Sequence, residues 1–243
     1  RFWLRDAQTT EMIATELRVI DRYNVRQVER KEKTRNAPPP FITSSMQREA
    51  AVSFSWPAKK TMLVAQTLYE GVDLGAEGTV GLITYMRTDS TRLAETAIEE
   101  SRALIEKDFG KQYVPDKAVH YVSKKGSVQD AHEAIRPTSA FRRPEQVQQH
   151  LKPDQKKLYK LIWSRFIACQ MKPAEFDTTS ITIKAGDYEL RARGRVMRFD
   201  GWLKIMPPAK KEDETEMPDL AVGDVLKLIK LDPSQHFTKP PAR

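Results

Sequence analysis

Pro38, Pro39 and Pro40 stand in a row after Asn36-Ala37 and set the first limit on how this chain can fold. Proline has no amide hydrogen to donate and drives the preceding residue into extended geometry, so neither a helix nor an interior strand passes through such a run. Residues 36–40 therefore read as a crossing between domains. Upstream, Ala7, Met12, Ile13, Leu17 and Ile20 recur at near-helical spacing over residues 7–22. Tyr23, Val25 and Val28 then continue as a charged, half-exposed strand to about residue 32.

Downstream, helical patterns prevail as far as residue 171. Ser44 and Gln47 have the spacing of a capping box for a helix reaching about Phe54. Pro57 suits the first position of the next helix, whose expected buried stripe is Met62, Leu63, Ala65, Leu68 and Tyr69, up to Gly71. Glycines at 71, 75, 78 and 81 surround a turn before a short buried extended segment at residues 79–85. Residues 94–109 put Ala97, Ile98, Leu104, Ile105 and Phe109 inward until Gly110 stops the helix, and residues 154–171 do the same with Leu158, Leu161, Ile162, Phe166 and Ile167. Past Pro173 the period changes. Alternation and the β-branched Thr178, Ile181, Ile183 and Val196 mark antiparallel strands over residues 176–205, and again over 221–231, around a solvated loop at 210–216. The expected fold class is α+β and multidomain. A mainly helical domain occupies residues 38–173, and a β-rich domain is assembled from both ends of the chain, 1–37 and 174–243.

The 243 residues suffice for two such domains, each with its own core. Forty-one Lys and Arg against 33 Asp and Glu leave a net charge of +8, which favours an anionic partner such as nucleic acid over a neutral small molecule. Charge alone would equally suit a soluble basic protein. The one cysteine, Cys169, excludes an intramolecular disulfide and a zinc ribbon and suits a reducing cytoplasmic compartment; its neighbours read as helix core. No apolar run approaches the roughly 20 residues that span a bilayer, and residues 1–6 lack the design of a signal peptide. A soluble chain with no membrane partner is expected, and its abrupt ends suggest excision from a longer protein.

Chemistry concentrates in Gly81-Leu82-Ile83-Thr84-Tyr85-Met86-Arg87-Thr88-Asp89-Ser90-Thr91-Arg92. An extended backbone sends Tyr85, Arg87 and Asp89 to one face. A tyrosine hydroxyl is a poor nucleophile at its free pKa near 10, and a neighbouring cation favours the phenolate while neutralising charge on an attacked phosphate. The Arg87 fork matches phosphate oxygens, which a lysine meets only as a point charge. The plain alternative is a tyrosine at a strand end beside a surface arginine.

Residues 83–90 nevertheless match, without a gap, the active-site segment of type IA DNA topoisomerases, a highly specific pattern. Gln129-Asp130-Ala131-His132-Glu133-Ala134-Ile135-Arg136-Pro137-Thr138 resembles the family's histidine segment and lies downstream of the tyrosine, as it does there. Pro40-Phe41-Ile42-Thr43-Ser44, Phe199-Asp200-Gly201-Trp202 and Phe237-Thr238-Lys239-Pro240-Pro241-Ala242-Arg243 also resemble the bacterial members, so the likeness covers nearly the whole chain and is weakest before residue 35. It implies that Tyr85 forms a 5′-phosphotyrosine bond with single-stranded DNA and that Arg87 stabilises the reacting phosphate. His132 would be the active-site histidine, free to hydrogen-bond the scissile region or to orient a carboxylate from elsewhere. Asp89 and Arg136, inside the matched blocks, become candidate DNA contacts. Weaker candidates are Lys59, near a helix start, and Arg191, Arg193 and Arg195, which share one face of a strand opposite Leu190, Ala192 and Val196. Each has a bland counterpart as an exposed charge.

The resemblance further implies an ATP-independent monomer that relaxes negatively supercoiled DNA near the nucleoid, with a β-rich arch flanking the tyrosine domain. Magnesium in the full-length enzyme would sit on an acidic Asp-x-Asp cluster in a separate α/β domain. This sequence has no Asp-x-Asp, so no metal site is expected in it and the chain alone is expected to be inactive. His132-Glu133-Ala134-Ile135-Arg136 begins like a zincin helix, but Arg136 replaces the second histidine. Tyrosine recombinases and type IB topoisomerases place the tyrosine after a His-x-x-Arg block, contrary to the order here. The remaining rival is a non-catalytic DNA-binding module, with the helices near 44–70 as a helix-turn-helix-like unit.

Overall fold

The proline run carries neither helix nor strand. It separates strand β1 (Tyr23–Arg35) from helix α2 (Thr43–Phe54) in the computed structural model, which describes residues 6–121, 132–208 and 215–237. Residues 129–131 of the histidine block, 210–214 of the solvated loop and 238–243 of the closing motif lie outside the described residues. Arg165 fixes the run: its Nε donates to the Pro39 carbonyl at 2.7 Å, and its guanidinium sits 4.6 Å above the Phe41 ring. Burial strips water from this cation and lowers its pKa from the ordinary arginine value.

Contacts divide the chain into two units, one holding residues 34–175 and 198–212, the other residues 1–33, 176–197 and 213–243. The first is mainly helical. It contains α2, α3 (Ala58–Glu70), α4 (Glu95–Phe109), the short α5 (Pro144–Val147) and α6 (Pro153–Ala168), with a small antiparallel pair of β2 (Val72–Asp73) and β3 (Thr79–Val80). Leu158, Tyr159, Ile162, Phe166 and Ile167 bury the inner face of α6, and the first three join a core with Phe41, Met46, Leu68, Leu82, Ile83, Met86 and Ile135. Burying each large aliphatic or aromatic side chain stabilises the unit by about 1.5–3 kcal/mol. Polar tips stay satisfied: Tyr159 donates to the Arg142 carbonyl at 2.6 Å and Trp163 Nε1 to that of Ala140 at 2.7 Å.

Several local expectations shift. α2 starts at Thr43, and the amide of Ile42 donates to Ser45 Oγ at 3.0 Å, so the reciprocal cap is not the Ser44–Gln47 pair. Pro57 precedes the first turn of α3 and offers its carbonyl to the Thr61 amide at 3.1 Å. The buried face of α3 runs through Thr61, Ala65 and Leu68, a spacing of four and three that turns Leu63 to solvent, 67% exposed, and leaves Tyr69 40% exposed.

The second unit carries α1 (Ala7–Arg18), capped by Asp6, whose carboxylate accepts the Thr9 amide at 2.7 Å. Its strands are β1, β4 (Ala174–Ala185), β5 (Tyr188–Phe199) and β6 (Val225–Leu226) in the order β5-β4-β1-β6, with β6 antiparallel to β1. The unit boundaries fall near the ends of β1, β4 and β5. Leu17, Tyr23 and Ala185 form the buried centre, and the Tyr23 hydroxyl donates to the Leu17 carbonyl at 2.6 Å. Residues 198–212, read from the sequence with the β-rich part, instead cluster with the helical unit. Gly201–Lys204 is a short 3-10 turn, not strand, in which buried Trp202 donates through its amide to Lys172 and through Nε1 to Arg35. Gly201, at φ +49°, has no room for a Cβ, which would lie 2.4 Å from the Pro173 carbonyl oxygen.

Candidate active site

The segment bearing Tyr85 is clamped from both sides. On one flank the Thr84 amide donates to Arg136 O at 2.9 Å, the Thr84 hydroxyl donates to Ala134 O at 2.7 Å, and the same hydroxyl accepts the Arg136 amide at 3.0 Å. On the other, the Thr43 amide donates to Thr88 O at 2.9 Å, while the Thr43 hydroxyl donates to Met86 O at 2.8 Å and accepts the Thr88 amide at 2.9 Å. The clamped stretch alternates: Met86, Thr88 and Ser90 are buried, while Tyr85, Arg87 and Asp89 are exposed. Tyr85 is 46% exposed and meets the ring of Tyr69 edge-on, 5.4 Å between centroids.

His132 comes from another part of the chain but is tied to the same frame. The Ala134 amide donates to Arg92 O at 2.8 Å, and Ile135 bridges Phe41, donating its amide to Phe41 O at 2.8 Å. Glu133 accepts the Ala94 amide at 2.6 Å, just before the first turn of α4, and Arg136 Nη2 at 2.8 Å. His132 is therefore exposed on irregular backbone, not capping or packing within a helix. Together with Arg87, Thr88, Asp89 and the first turns of α2 (Thr43, Ser44, Gln47) it lines an open cleft of about 410 Å³. Tyr85 is not part of that lining; it stands two residues before Arg87 in the chain, with a bend at Met86 between them. Geometrically this is an exposed phenol beside a cleft that offers a guanidinium, an imidazole, one carboxylate, hydroxyls and the start of a helix, whose amides attract anions.

The sequence profile of a family described as DNA topoisomerase matches residues 1–243. The chain belongs to the bacterial type IA DNA topoisomerases. It is similar to the full-length topoisomerase I from Thermotoga maritima, with 38% identity and a TM-score of 0.77 over 93% of this chain. It spans 35% of the length of that topoisomerase.

The other candidates of this topoisomerase chain fall in different surroundings. Arg136 is largely buried, 13% exposed, and is held by Glu133 and by its own bond to Pro137 O at 3.0 Å. Its Nε has no hydrogen-bond partner among the described residues. Its position is that of a tie beneath the site, not of a cation turned to solvent. Lys59 is exposed in the first turn of α3. Arg191, Arg193 and Arg195 belong to the β-rich unit. Arg191 pairs with Glu189 at 2.8 Å, Arg193 is exposed, and Arg195 is half-buried over the Phe176 ring at 4.7 Å, so the three do not form a uniform solvated stripe. Val196, placed from the sequence on the face opposite the arginines, is 36% exposed. Thr43, Gln47 and Tyr69 were not among the sequence-derived site residues. Only the polar start of α2 hinted at the first two, and Tyr69 was misassigned to the buried stripe.

Proposed function

We propose that this chain supplies the tyrosine-bearing part of a type IA topoisomerase that cuts one DNA strand, passes a strand through the break and reseals it, relaxing negative supercoils. One observation carries the reading. Tyr85, Arg87 and Asp89 share an exposed face on a segment clamped by Thr43 and Thr84, and His132 reaches the Arg87–Asp89 cleft from elsewhere in the chain.

In this reading the Tyr85 oxygen attacks a phosphodiester of single-stranded DNA. A phosphorus–phenol oxygen bond forms, the bond to the 3′ oxygen breaks, and the phenol proton passes to the departing 3′ oxygen. The number of phosphodiester bonds is conserved, so resealing is the reverse attack and needs no ATP. Arg87 holds two non-bridging oxygens in its planar fork as charge develops on them, and the first amides of α2 add a favourable field for the strand. His132 supplies a hydrogen bond to the strand beside the break, and Arg136 acts through Glu133 and Thr84 by holding the backbone in place.

Among the described residues Asp89 is the one carboxylate lining the cleft. Magnesium prefers near-octahedral oxygen ligands and retained waters, so these residues do not make its cage and no step here runs through it. The ion belongs, in this proposal, to carboxylates elsewhere in a full-length, monomeric, cytoplasmic enzyme. Among the described residues no helix is long and apolar enough to cross a membrane.

The test is adduct mapping in the full-length parent with a labelled single-stranded oligonucleotide. The label is expected on Tyr85, with none in Tyr85→Phe. A label on another residue, or normal relaxation by Tyr85→Phe, would sink the proposal, and the latter is what a non-catalytic binding module predicts.

A further inference from the structure

A second cleft, of about 490 Å³, lies on the β-rich unit, where β1, β4 and β5 run side by side. Among the described residues, Lys31 and Lys33 of β1, Arg193 and Arg195 of β5, Thr178 and Ser180 of β4 and Thr215 line it, with Glu29 as the one carboxylate. Alternation explains the gathering, because side chains two apart on each strand face the same way. Several features fix its shape. The Thr178 hydroxyl donates to the Lys31 carbonyl at 2.9 Å, and Arg195 is laid across the Phe176 ring. The wall at Thr215 is closed by the Arg195 amide, which donates to Thr215 O at 2.9 Å. That wall requires glycine at 194, since a Cβ there would lie 2.4 Å from the Thr215 oxygen.

Among the described residues, four cations and three hydroxyl-bearing side chains against one carboxylate favour an anion. Glu29 offers little competition: its pair with Lys31 is about half exposed on both sides, and such pairs exchange readily for another anion. The opening runs across three strands, which suits a polymer laid over the sheet. Lys31 and Lys33 sit about 6.8 Å apart along β1, comparable to the step between successive phosphates of an extended single strand. Among the described residues no aromatic side chain lines the cleft, so recognition falls on the backbone.

We propose that this cleft binds the phosphodiester backbone of a single-stranded nucleic acid, independently of sequence and on a different unit from Tyr85. Lys31, Lys33 and Arg193 neutralise successive phosphates, and Ser180 donates a hydrogen bond to their oxygens. The inference rests on the reading of the chain as one that handles DNA strands, but its failure is separately visible.

The experiment is a salt titration of a fluorescent oligothymidylate with the 243-residue chain, followed by anisotropy. Replacing Lys31, Lys33 and Arg193 together with glutamine should weaken binding at least about tenfold at low salt. It should also flatten the slope of log K against log salt by about 2, three phosphates at roughly 0.7 each. Glu29→Lys should move both quantities the opposite way, a result that loss of folding cannot imitate. Unchanged affinity and slope in the triple variant overturn the proposal. So does displacement of the oligonucleotide by polyglutamate at lower concentration than by unlabelled oligothymidylate, which would make the cleft a site for an acidic protein. Adduct formation at Tyr85 in the full-length parent is read separately: its absence counts against the cleavage reading, while the titration still decides the cleft.

Discussion

Glu133→Gln is the sharpest test of how the site is held. Its carboxylate accepts the Ala94 amide at 2.6 Å and Arg136 Nη2 at 2.8 Å, with the pair only 13% and 22% exposed. An amide of the same shape keeps one acceptor oxygen. Its NH2 group must then face either the guanidinium or the Ala94 amide, donor against donor, so one contact is lost and the other changes from charged to neutral. A hydrogen bond to a charged group contributes about 1.5–3 kcal/mol, and the lost anion before α4 adds about 0.3–1 kcal/mol through the helix dipole. A loss of about 3 kcal/mol follows, rising toward the roughly 3–5 kcal/mol of an uncompensated buried charge if no water reaches Arg136. At about 2–4 °C per kcal/mol for a unit of this size, thermal melts should fall by about 6–12 °C. Adding Arg136→Met should recover part of that loss, because the stranded charge goes with it. A melting point within a degree of the parent would show that solvent screens the pair and that Glu133 does not hold the histidine segment.

Arg87→Lys in the full-length parent should slow single-turnover cleavage by about 10- to 1000-fold, as for the loss of one preorganised donor, and Arg87→Ala should be worse, with little change in melting for either; near-normal cleavage by the alanine variant would remove Arg87 from the mechanism. Tyr69→Ala removes the edge-on partner of Tyr85, a contact of about 0.5–1.5 kcal/mol, and should slow cleavage about tenfold with little effect on KM, whereas Tyr69→Phe should restore it; equal rates in both variants would leave the ring pair without a positioning role. Burial pushes the Cys169 thiol up to about 12. Its stabilising contribution is therefore fully present below the unfolded thiol value of about 8.5 and is lost as pH rises from there toward the folded value. In reducing buffer the melting point of the parent should drop more between pH 8 and pH 10 than that of Cys169→Ala, and parallel curves would refute this.

Local covalent chemistry determined much of this protein from its sequence alone. The proline run had to break any element because the missing amides and the clash at the preceding residue act within two or three positions. Gly110, at φ +94°, ends α4 for a reason equally local. The shared exposure of Tyr85, Arg87 and Asp89 was legible because alternation is a property of the extended chain, and the eight-residue block around Tyr85 marked the family outright. Tertiary structure decided what sits opposite what. Thr43 clamps residues 86–88 across more than forty positions, Glu133 ties Ala94 to Arg136, and Tyr69 turns out of the helix face toward Tyr85. Leu63 faces solvent because, of the faces α3 offers, its neighbours cover the one through Thr61, Ala65 and Leu68. Residues 198–212 cluster with the helical unit because Trp202 finds its partners at Lys172 and Arg35, and Arg195 is half-buried where Arg193 is exposed because it lies over the Phe176 ring. Each of these depends on hydrogen-bond partners and packing surfaces brought together from distant stretches of chain, and no periodicity within a short window records such meetings.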